Sequence, residues 1–83
     1  MLRMLIIAAA LTVPVPALAD CAADIARFQK LIDGDLKTGF IAGSVHAKAS
    51  EALKQASVQC KAGEDAAASA AVAATRARHG YPP

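Results

Sequence analysis

The two histidines of this chain, His46 and His79, together with Asp33 and Asp35, could bind a metal ion. Imidazole nitrogens with carboxylate oxygens suit a transition-metal ion. Residues so far apart can act together only if the fold carries them to one end. The competing expectation is a solvated end, where His79 complements a helix dipole. Asp33-Gly34-Asp35, with Gly39 and Ile41 after it, also has the look of part of a calcium loop, but the register fails. With Asp33 at position one, position twelve is Ser44; with Gly39 as the loop glycine, position twelve is Val45. Neither provides the closing glutamate. The triplet reads instead as a helix stop.

Catalytic patterns are missing. Ser44, Ser50, Ser57 and Ser69 have no glycine elbow around them. A histidine and an acid somewhere in a chain do not make a triad. A bundle this small is expected to lack the cavity of a few hundred Å³ that a typical ligand occupies. No enzyme and no cofactor are therefore expected.

The two cysteines, Cys21 and Cys60, point to a different chemistry. A catalytic redox pair usually sits close in sequence, as in Cys-x-x-Cys, and this pair does not. Zinc thiolate sites need more ligands. In an exported chain the pair is expected to close one structural disulfide. The closed loop is long, and the chain-entropy model gives it about 4 kcal/mol.

Export is expected from the first segment. Arg3 supplies a positive start, Met4 to Val13 is apolar, and Pro14 and Pro16 break the run. Ala17-Leu18-Ala19 follows, the small-x-small pattern of signal-peptide cleavage. The run is about half the ~20 residues of a membrane-spanning helix. Asp20, immediately before Cys21, is not the small residue that a lipoprotein junction requires. Residues 1–19 are thus expected to be cleaved between Ala19 and Asp20. Removing 19 of 83 residues leaves one domain of 64, residues 20–83, with no stable membrane span.

That domain has 8 basic residues, the chain's 9 less Arg3, against 7 acids. Such balance excludes a polyanion-binding arm. Phe28, Phe40 and Tyr81 are the only aromatics, too few for base stacking. No nucleic-acid partner is expected. So short a chain usually needs a staple, and the cysteines provide it.

Periodicity predicts an all-α fold. Cys21, Ile25, Phe28 and Ile32 form one stripe, with Asp20 as N-cap and Asp33-Gly34-Asp35 as the stop. Val45, Ala49, Leu53, Ala56 and Cys60 form a second stripe, on a helix that Ser44 can cap. Lys61-Ala62-Gly63 is a turn. Glu64 to His79 is a third helix, acidic at its start and basic at its end, with Gly80 just past it. Ala66, Ala70, Ala73 and Ala77 form one stripe, with Ala67, Ala71 and Ala74 beside it, a face expected to let two helix backbones approach closely. Antiparallel packing of the first two helices brings Cys21 beside Cys60. The expected architecture is a small three-helix up-down-up bundle with one disulfide.

Ala56 to Ala67 (ASVQCKAGEDAA) resembles the turn between the two helices of a tetratricopeptide unit. About one unit fits, whereas a solenoid stacks several. The plan is also similar to small exported proteins of Gram-negative bacteria that end in an Arg-x-x-His/Tyr-Gly-Tyr-type tail. Here the tail reads Arg76-Ala77-Arg78-His79-Gly80-Tyr81-Pro82. Neither resemblance carries an activity.

The leading expectation is a periplasmic or secreted module that acts by binding a protein partner in the cell envelope. Its contact is an alanine-rich helix face or the end formed by Phe40, Ile41 and Tyr81. Those three residues are either a hydrophobic lid or a binding patch. The alternatives are a periplasmic metal-binding protein using His46 and His79 with Asp33 and Asp35, and a secreted membrane-active peptide.

Overall fold

The computed structural model describes residues 20–82. The export signal expected over residues 1–19, with Ala19 at its junction, lies outside the described residues. Three helices follow in order: α1 (Cys21–Lys37), α2 (Gly43–Lys61) and α3 (Asp65–Arg78). No strand occurs among the described residues. Each helix packs on the other two. Cys21, at the start of α1, is disulfide-bonded to Cys60, near the end of α2, with their Cα atoms 6.0 Å apart. The all-α, up-down-up bundle is as the periodicity predicts.

The core follows the first two stripes. Phe28 and Ile32 from α1 meet Ala49, Leu53 and Ala56 from α2 and Val72 from α3. All six are buried. Fully burying a side chain such as Phe28, Ile32 or Leu53 contributes about 1.5–3 kcal/mol. The alanines let the helix backbones approach closely.

Each helix ends in the same way. In α1, the amide of Phe40 donates to the carbonyl of Asp35, and that of Gly39 to Leu36. In α2, Glu64 donates to Gln59 and Gly63 to Cys60; in α3, Tyr81 donates to Arg76 and Gly80 to Ala77. These paired bonds are Schellman caps. The cap needs a left-handed residue, and Gly39, Gly63 and Gly80 supply it with φ of 83°, 85° and 80°.

Four local expectations are corrected. Asp33-Gly34-Asp35 does not stop α1, which runs on to Lys37. A glycine inside a helix costs only about 1 kcal/mol, and the cap at Gly39 ends the helix instead. Ser44 does not cap α2: Ala42 holds the N-cap position, and its carbonyl accepts from Val45 and His46. Asp20 stands at the N-cap position of α1, but its side chain makes no capping bond. Finally, α3 turns a different face inward. Ala68, Val72 and Thr75 are buried and Ala71, from the row beside the expected stripe, packs partly buried on the core, whereas Ala66, Ala70, Ala73 and Ala77 are exposed. The larger Val72 and Thr75 set the rotation, and the Thr75 hydroxyl is satisfied by donating to the Ala71 carbonyl at 2.7 Å.

Candidate functional site

The bundle has two unlike ends. At the first, the Cys21–Cys60 bridge ties α1 to α2. Asp65, in the first turn of α3, places a carboxylate oxygen 3.4 Å from the Cys21 sulfur. A disulfide sulfur has no proton to donate, so this is a packing contact. The three side chains form a cluster of metal-ligand type, their ligand atoms all within 4.8 Å of one another. The bridge occupies both sulfurs, which leaves Asp65 as the single available donor.

From this end a groove of about 530 Å³ runs between α1 and α2. Its lining is mainly apolar: Ala22, Ile25 and Ala26 from α1 and Leu53 from α2, with Ser57 and the bridged Cys60 beside them. Gln29 and Ser50 lie at its far end, joined by a 3.0 Å hydrogen bond from Gln29 Nε2 to Ser50 Oγ. Lys54 and Lys61 stand on its rim, with no carboxylate among the lining residues. The expectation that so small a bundle has no space of ligand size is thereby corrected. The space is open to solvent and exists because small alanines line one wall.

At the second end α1 finishes, α2 starts and α3 finishes. His46 Nε2 lies 2.7 Å from Asp33 Oδ1. Gln29 donates to that same oxygen at 3.0 Å. The His46 bond first, and the Gln29 bond second, hold the Asp33 carboxyl below its ordinary value of 3.8. Asp35 accepts a hydrogen bond from the Tyr81 hydroxyl at 2.5 Å. Burial first, then that bond to an anion, push the Tyr81 phenol up to about 12.

The Tyr81 ring meets Phe28 edge to face, with centroids 5.1 Å apart. The Arg76 guanidinium covers the Phe28 ring, 4.6 Å from its centroid. Its Nη1 also donates to the Pro82 carbonyl at 3.3 Å. An aromatic pair and a cation over a ring each add about 0.5–1.5 kcal/mol to burial. Sequence reading missed Arg76, Gln29 and Ser50. Gln29 and Asp33, and likewise His46 and Ser50, are four residues apart on facing helices. That spacing is the one trace of the network in the sequence.

Asp33 and His46 thus come together as a pair, and Asp35 pairs with Tyr81. Asp33, Asp35, His46 and His79 do not converge on one point: among the described residues, the Cys21, Cys60 and Asp65 group is the cluster of metal-ligand type. His79 sits at the C-cap of α3. The three residues of the expected lid or patch divide. Ile41 and Tyr81 are partly buried and pack on the core. Phe40 is 80% exposed.

No family model matches the chain, and neither a curated protein nor a solved structure matches it. The likenesses to a tetratricopeptide turn and to small exported proteins therefore rest on their residues alone. No helix among the described residues is long and apolar enough to cross a membrane.

Proposed function

We propose that this chain is a small exported, non-catalytic binding module of the cell envelope, which meets a protein partner through Phe40. The supporting observation is how Phe40 is mounted. Its ring is 80% exposed, yet its amide is fixed in the α1 cap at 2.8 Å from the Asp35 carbonyl. The next residue, Ile41, packs on the core. A large apolar side chain held out from an anchored backbone has little to lose in entropy on binding. Aromatic residues are enriched at interface centres for the same reason. Export is supported by the Ala17-Leu18-Ala19 junction and by a disulfide of the kind that persists in oxidising compartments.

The test is site-specific photocrosslinking in the producing cell. A photoreactive residue at position 40 is expected to give a discrete adduct, and the same residue at exposed Ala70 is expected to give none. Adducts at both positions or at neither would refute the reading. Intact mass is expected to place the processed N-terminus at Asp20. A species that retains Met1 would count against export.

A further inference from the structure

We propose that the groove between α1 and α2 binds a long-chain fatty acid, its alkyl chain along the apolar lining and its carboxylate drawn by Lys54 and Lys61. Size comes first. A groove of about 530 Å³ with ten lining residues falls within the range of small-ligand sites, about 300–1,000 Å³. A standard protein interface takes about 20–30 residues a side, so a docked protein would use far more surface than this groove offers.

Shape and chemistry follow from the helices. The lining residues of α2 run from Ser50 to Lys61, about 16 Å of helix at 1.5 Å per residue. The slot is therefore long, and its lining is mainly carbon from Ala22, Ile25, Ala26 and Leu53, with the Ser57 hydroxyl beside the two lysines. The polar pair at its far end, Gln29 and Ser50, is already hydrogen-bonded to itself. An unbranched alkyl chain matches such a lining, since it carries no polar group to leave unpaired.

Charge decides the headgroup. Lys54 and Lys61 are the charged residues of the lining, and neither makes an ion pair among the described residues. They lie seven residues apart, so they share one face of α2, and their flexible stems can converge on one anion. The same charges disfavour a second copy of this chain. A two-fold interface over the groove sets its own lysine rim against itself.

The site is independent of the Phe40 contact, which lies at the other end of α1. The experiment is an amide NMR titration of the disulfide-intact protein with myristate, below its micelle-forming concentration. Myristyl alcohol and myristyl trimethylammonium serve as probes with the same chain. Shifts are expected at Ala22, Ala26 and Leu53, with myristate bound about tenfold more tightly than the alcohol, as one charge-assisted contact allows. The cationic probe is expected to bind more weakly still. Replacing Lys54 and Lys61 together by Gln is expected to abolish the preference for myristate. Ala26→Trp, at an exposed position, is expected to block binding without lowering the melting temperature. Phe40→Ala is expected to leave myristate binding unchanged, so this proposal and the Phe40 reading fail separately.

Equal binding of all three probes, no binding, or shifts confined to the Phe40 end would overturn the proposal. So would groove shifts that grow with protein concentration alone, which would indicate a second copy. An acidic amphipathic peptide that occupies the groove where myristate does not would assign it to a helix instead.

Discussion

The two ends of this bundle are closed by different physics. At one, a single covalent bond joins α1 to α2, and the side chains around it are small enough to leave a groove. At the other there is no covalent link. Tyr81, Arg76 and Phe28 stack, Asp35 takes the Tyr81 proton donor, and Asp33 takes His46 and Gln29. The disulfide acts chiefly on the unfolded chain, by shortening its loops. The aromatic end acts on the folded state, through contacts that exist only there. A small domain without room for a large core can thus divide its stabilisation between the two states. The covalent end tolerates empty space beside it, while the contact end must be filled.

This contrast can be broken from either side. The largest effect is expected from the covalent end. Replacing Cys21 and Cys60 together by Ser opens a loop with a sequence separation of 39 and should cost about 4 kcal/mol. Denaturant unfolding with and without reductant checks it; an unchanged midpoint would show that the bridge contributes nothing. Phe28→Ala should cost about 3 kcal/mol, because a buried aromatic leaves a cavity and strands both Tyr81 and Arg76. Unlike the cysteine change, it should lower stability equally in oxidised and reduced protein.

Tyr81→Phe keeps the ring contact and removes the bond to Asp35, and should cost about 1 kcal/mol at neutral pH. Its sharper signature is alkaline. The Tyr81 phenol is raised from 10.0 to about 12 in the folded protein, so the folded state holds that proton more tightly than the unfolded chain. The stability from Tyr81 is therefore complete below pH 10.0 and falls as pH climbs towards about 12. Tyr81 is the only tyrosine, and the Phe variant should lose this part of the alkaline fall in a melting series.

Asp33 has the opposite sign. Its carboxyl is depressed below 3.8 in the folded protein, so its contribution is present above that value and lost as pH drops through the folded one. Asp33→Asn should flatten that stretch of the acid limb, by a small amount because the pair is exposed to water. The smallest effect belongs to Phe40→Ala. A side chain 80% exposed should change stability by no more than about 0.5 kcal/mol. A larger loss by calorimetry would mean that Phe40 closes the end as a lid.

Legibility in the sequence tracked the contrast between neighbouring residues. On α1, Ile25, Phe28 and Ile32 stand among polar residues, and the stripe identifies the inward face. On α3, nearly every face is alanine, and spacing alone selects Ala66, Ala70, Ala73 and Ala77, which are exposed. A period cannot orient a helix whose residues differ little in hydrophobicity. Helix ends show the same limit. Gly63 and Gly80 mark ends because nothing competes with them nearby. Gly34 and Gly39 compete, and the hydrogen bonds of the later cap prevail.

The residue pattern by itself determined three helices, their up-down-up order and the cysteine pairing. These follow from local hydrophobic spacing, from turn glycines and from there being only two cysteines to join. Tertiary structure alone decided the pairing of Asp33 with His46, the clasp of Tyr81 on Asp35, the exposure of Phe40 and the groove beside Leu53. Each depends on the rotation and separation of packed helices, where a change of one residue in register carries a side chain about 100° around its axis. The sites sit where the helices meet, and no single helix encodes its neighbour's angle.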